Sequence, residues 1–218
     1  YDGLLDGVTT VRATFHRYLI DANRDPSGES LYPGQNTTGL VPLTDFDNRP
    51  IWREGEEPTA QDVAERLDAF HAPYHAALEA EIARVKALHG VAILYDCHSI
   101  RSHCPFLFEG QLPDFNIGTN HGETCAREIE QATVDVCAGA DGFSSVLNGR
   151  FVGGWTTRHY GRPGTGVHGI QMELAQATHL QGEAVPFDYD EEKAARLRPH
   201  LKAILTRLSK IAPSLKGN

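Results

Sequence analysis

The apolar positions of this chain fall into two patterns, and each predicts a different kind of element. Through residues 191–211 they recur at Leu197, Leu201, Ile204, Leu205 and Leu208, the spacing of a helix with one buried stripe, which Pro199 is expected to kink. The same spacing predicts a helix opened by Pro58, with Val63, Leu67 and Phe70 on one face. It also predicts a second helix after Pro73, carrying Tyr74, Leu78, Ile82 and Val85 and ending at Gly90. A further helix is expected over 123–139, with Ile129, Val134 and Val136 among its apolar positions. Short apolar runs predict strands at 91–97, 144–148 and 167–174 instead.

Residues 1–7 read as the tail of a helix closed by Gly7, followed by a β-rich run over 8–15. A polar loop over 26–39 and a hairpin over 41–52, turning at Asp47-Asn48, come next. Strands alternating with helices predict an α/β fold: a single domain over 1–218 with a mixed, mostly parallel sheet flanked by helices.

Composition narrows the function. At 218 residues, with 40% hydrophobic and 22% charged positions, the chain has the makings of an ordinary globular core. A net charge of −9 argues against nucleic acid as a partner, because no basic excess is available to neutralise phosphates. No apolar run approaches the ~20 residues of a membrane span. The four cysteines form no Cys-x-x-Cys pair, so free thiols and a cytoplasmic location are expected. Cys97 adjoins His98, but strand alternation sends it to the opposite face.

The chemistry gathers where strands meet loops. The run Val91-Ala-Ile-Leu-Tyr-Asp-Cys-His-Ser99 ends an apolar strand in Asp96, His98 and Ser99. A histidine there can be a satisfied core residue or a metal ligand oriented by Asp96. Asp21-Ala-Asn-Arg24 offers an arginine fork for a carboxylate, with Asn23 beside it, or simply a surface ion pair. The glycine-rich stretch 148–164 carries Arg150, Arg158, His159, Tyr160 and Arg162 but lacks both nucleotide-loop patterns.

Glu173 interrupts an apolar strand, which is costly unless the carboxylate is paired, used as a base, or turned to solvent at a sheet edge. His71, His75 and His89 read as helix-surface or packing residues. Together these groups suggest metal-assisted hydrolysis of an anionic substrate, whereas a serine hydrolase lacks its Gly-x-Ser-x-Gly turn.

Several segments closely resemble the N-formylglutamate amidohydrolase (deformylase) family: Tyr18-Leu-Ile-Asp-Ala-Asn-Arg24, Ser30-Leu-Tyr-Pro-Gly-Gln-Asn-Thr-Thr-Gly39, Asp96-Cys-His-Ser-Ile-Arg-Ser102, Leu112-Pro-Asp-Phe-Asn-Ile-Gly118, Asn148-Gly-Arg-Phe151, Arg158-His-Tyr-Gly-Arg-Pro163 and Gln171-Met-Glu-Leu-Ala-Gln176. The resemblance implies a fold like the zinc carboxypeptidases and the aspartoacylase group, with zinc as cofactor and His98 as a ligand. It implies that Asn23 and Arg24 bind the substrate carboxylate or polarise the scissile carbonyl, that Glu173 is the general base, and that Arg158 and Tyr160 bind substrate.

The implied reaction is hydrolysis of N-formyl-L-glutamate, a small anionic substrate, to formate and L-glutamate, closing a branch of histidine degradation. Another N-acyl amino acid as substrate, or a metal-deficient binder of acidic amino-acid derivatives, are the alternatives. The family's other zinc ligands come from a segment upstream of Tyr1, so an N-terminal segment is expected beyond the chain given.

Overall fold

The computed structural model describes residues 1–215. Along the chain run α1 (Ala60–Arg66), a π-helical turn (Leu67–His71), α2 (Ala72–His89), β1 (Ala92–Ile100), β2 (Phe115–Gly118), α3 (Arg127–Ala138), β3 (Ser145–Leu147), α4 (Trp155–Tyr160), β4 (Val167–Ala175) and α5 (Glu191–Ile211). The chain divides into two compact units. One comprises Tyr1–Val8, Ile82–His103 and residues 111–215; the other comprises Thr9–Glu81 and Cys104–Gly110.

The first unit is built on a four-stranded sheet in the order β1-β4-β2-β3. β4 runs parallel to β1 and antiparallel to β2, while β2 and β3 are parallel, so the sheet is mixed and mostly parallel. Strand alternation sorts its two faces. Ile170, Met172 and Leu174 of β4, with Phe115 and Ile117 of β2, form one core with Ile129 and Val136 of α3 and Leu197, Leu201, Ile204 and Leu208 of α5. A side chain as fully buried as Ile204 contributes about 1.5–3 kcal/mol. Asp190 caps α5 by accepting the Lys193 N–H at 2.9 Å, and the helix runs on through Pro199 to Ile211.

Among the described residues, no helix is long and apolar enough to cross a membrane.

The second unit holds the polar loop, the hairpin, α1, the π-helical turn and the first part of α2. The hairpin is reduced to one bridge between Thr44 and Pro50, with Asn48 at φ 62° in the turn. Thr59 and Asp62 form a reciprocal cap on α1. The two helices expected on either side of Pro73 are joined instead by the π-helical turn, in which the Ala72 N–H reaches the Leu67 carbonyl. Pro73 has no N–H to give, and the wider turn carries the chain past its ring.

Two local expectations fail. Residues 1–7 form turns, not a helix end, with Gly3 and Gly7 both in the left-handed region at φ 71° and 75°. Residues 8–15 form no strand: they alternate in exposure from residue 11 but have no ladder partner, and β propensity is expressed only where a neighbouring strand accepts it. Conversely, α4 forms inside the glycine-rich stretch, where sequence suggested only permissive loop.

Candidate active site

The face of the sheet opposite the α3–α5 core is polar. Register places His98 beside Glu173 and Asp96 beside Gln171 on β1 and β4, then Asn116 beside Glu173 and Gly118 beside Gln171 on β2 and β4. Alternation puts all six on one face. β4 is internal and buried along its whole length, so Glu173 is no solvated edge residue; it is only 7% exposed.

The partners are specific. His98 Nε2 meets Asp96 Oδ1 at 2.9 Å, and Asp96 Oδ2 accepts the Thr157 hydroxyl at 3.0 Å. The Gly154 N–H donates to Gln171 Oε1 at 2.7 Å, which fixes the amide and turns Gln171 Nε2 toward Glu173 Oε2 at 3.5 Å, the outer limit of a hydrogen bond. Asn116 Nδ2 donates to the carbonyls of Glu173 and Pro113 at 3.1 and 2.7 Å. The arrangement sets a buried carboxylate directly across from an imidazole whose orientation is fixed, a suitable pairing for moving a proton beside a held ligand.

α4 closes over this face because glycines let it approach. A Cβ at Gly118 would lie 2.6 Å from Gly153 N, and one at Gly169 would lie 2.8 Å from the Thr157 carbonyl. Arg158 Nε donates to the Gly153 carbonyl at 2.8 Å, and Arg158 and Arg162 line a cavity of about 330 Å³ with Asn120, Glu123 and Thr124. Tyr160 stands edge-on to Trp155, whose ring stacks on His159 at 4.2 Å. α4 starts beside Gln171, and the residue after its end, Gly161, lies near Gly169, so it leads away from Glu173 along β4.

Asn23 and Arg24 belong to the second unit, where side chains rather than strands hold them. Asp21 accepts the Asn23 N–H at 3.0 Å and pairs with Arg17 Nη2 at 2.5 Å and Arg24 Nη1 at 3.4 Å. Burial pushes the Asp21 carboxyl up, but the Arg17 and Arg24 guanidinium groups outweigh it and hold the carboxyl below its ordinary value. Arg24 Nε donates to the Thr38 carbonyl at 2.8 Å and Nη2 to the Thr38 hydroxyl at 3.0 Å. From the π-helical turn and α2, His71 Nε2 meets the Arg24 carbonyl at 3.1 Å and His75 Nε2 the Ala22 carbonyl at 2.8 Å. Both rings are buried. Sequence reasoning gave these two histidines no role, although their four-residue spacing was a signal that they share a helix face.

Comparison with known proteins supplies the family. The model of the N-formylglutamate amidohydrolase family matches residues 1–180. The chain belongs to that family. It is 46% identical over 202 residues to N-formylglutamate deformylase of Pseudomonas aeruginosa, covering 93% of this chain and 75% of that protein. The corresponding protein of Pseudomonas putida is 44% identical over 209 residues, covering 95% and 78%. An N-formylglutamate amidohydrolase crystal structure from Ralstonia eutropha shares the fold with a TM-score of 0.70 at 22% identity, covering 93% of this chain and 74% of that one.

His98 turns Nε2 to Asp96, the carboxylate-oriented arrangement that suits a ligand histidine. No group of three or more His, Cys, Asp or Glu side chains converges among the described residues. Cysteine chemistry is not prepared here either: burial pushes the Cys125 and Cys137 thiols up to about 12, and Cys97 donates to the Tyr95 carbonyl at 3.6 Å.

Proposed function

We propose that this amidohydrolase hydrolyses N-formyl-L-glutamate to formate and L-glutamate, with zinc as cofactor, as the closing step of a branch of histidine degradation. The observation that carries the reading is the buried Glu173 carboxylate held in register with the Asp96-oriented His98. Its relatives named N-formylglutamate deformylase support the substrate. His98 is the residue here that would hold zinc, which when bound supplies a Lewis acid and a water of lowered pKa.

Glu173 takes the proton as water oxygen bonds to the formyl carbon, and returns it to the amide nitrogen as the carbon–nitrogen bond breaks. Gln171 holds the carboxylate by its N–H. Arg24, aimed by Asp21 and Thr38, binds a substrate carboxylate with Asn23 beside it, and Arg158 and Tyr160 add substrate contacts.

The test compares formate release from N-formyl-glutamate and N-formyl-glutamine, which differ by one charge. A charged hydrogen bond contributes about 1.5–3 kcal/mol, so kcat/KM is expected to fall at least about tenfold for the amide. Equal turnover would replace this reading with a broader N-acyl amino-acid hydrolase. Absence of formate with either substrate, in protein loaded with zinc, would leave a binding protein.

A further inference from the structure

We infer that His71 and His75 are positioning residues for substrate binding, acting through the main chain on either side of Asn23. The inference rests on the reading of Arg24 as a carboxylate binder. A carbonyl oxygen can only accept, so each ring carries its proton on Nε2 and donates: His71 to Arg24, His75 to Ala22. Two donors four residues apart therefore grip the two carbonyls that flank Asn23.

From the other side, Asp21 accepts the Asn23 N–H, and the Asp21 carbonyl accepts the Arg24 N–H at 3.2 Å. The Ala22–Arg24 segment is thus fixed along its length without belonging to any strand or helix. Short polar side chains on such a segment keep their aim only while its φ and ψ are held, and loss of aim costs binding before it costs folding.

The helix is shaped for this grip. His71 closes the π-helical turn and His75 lies in the first turns of α2, with their ring centroids 4.4 Å apart at 42°. The histidine pair begins where the π-helical turn hands over to α2. Burial lowers the proton affinity of His71 more than the Arg24 carbonyl, Asp21 and Asp25 raise it. Donation from Nε2 is available to the neutral ring.

The experiment is steady-state kinetics on N-formyl-glutamate with the full-length protein, alongside melting temperatures. His71→Leu removes the donor, His71→Gln keeps an N–H at the reach of Nε2, and His71→Asn falls short of it. We expect His71→Leu and His71→Asn to raise KM about tenfold, with kcat within about threefold of the parent, and His71→Gln to restore most of the loss. In an Arg24→Ala background, which itself raises KM, adding His71→Leu should raise it less than about twofold further.

If Arg24→Ala raises KM but the His71 variants leave it unchanged, or the two effects simply multiply, the grip is overturned while the reading of Arg24 stands. If Arg24→Ala leaves KM unchanged, the reading of Arg24 fails first and the inference with it. Should His71→Leu not fold, the Gln and Asn variants decide alone, and equal KM values for them overturn the proposal.

Discussion

Two regions of this molecule hold polar side chains in buried surroundings, and they do so by opposite means. On the sheet face, Asp96, His98, Gln171, Glu173 and Asn116 are placed by strand register, so their spacing follows from a ladder that would exist without them. The Asn23–Arg24 segment has no ladder. Its order comes from Asp21, Thr38, His71 and His75, each contributing one or two hydrogen bonds. The first region should therefore tolerate removal of a functional side chain with its geometry intact, whereas in the second a lost partner is a lost conformation.

The sharpest test is Glu173→Gln. Backbone pairing on both sides of β4 should keep the fold and melting temperature near the parent's, while kcat drops about 10²–10⁴-fold if Glu173 is the general base proposed above. A kcat near normal, or a collapse in stability, would break the first half of the comparison. Next in size is the layer beneath: Ile204→Ala empties a fully buried position and should cost about 2–5 kcal/mol in urea unfolding, with KM for folded protein unchanged.

Gly118→Ala is expected to cost less, about 1–3 kcal/mol, because the new methyl must displace the Val152–Gly153 backbone. Its kinetic signature should be in kcat, since α4 carries the Thr157 hydroxyl that holds Asp96.

The smallest effect is one of acidity in the second region. The folded-state pKa of Asp21 is depressed below 3.8, so its contribution is complete above that value and is lost as pH falls through the folded pKa. As pH falls below 3.8 toward the folded-state value, the parent's melting temperature should fall more steeply than that of Asp21→Asn, which starts lower. Parallel slopes would show that Asp21 does not hold this segment together.

This difference in construction also decides what could be read from sequence. α5 was legible to the residue because its leucines repeat along one stripe, and the strands around His98 and Glu173 were legible because apolar runs of strand length ended in polar groups. The roles of His71 and His75 were hidden because their partners are main-chain oxygens some fifty residues earlier, which leave no pattern. Residues 8–15 misled for the converse reason: strand-like composition with no strand to pair with. α4 was obscured by glycines that serve close approach to the sheet rather than looseness.

The Gln171 amide has two chemically opposite ends, and the Gly154 N–H decides which one Glu173 meets. While the first turn of α4 is docked, the carboxylate faces a donor. Lift that turn and the amide is free to rotate by half a circle, offering Glu173 an oxygen and turning attraction into repulsion. The docking of a six-residue helix is thereby coupled to the polarity around the buried Glu173 carboxylate, so a lesion at the start of α4 can reach that carboxylate without unfolding the sheet.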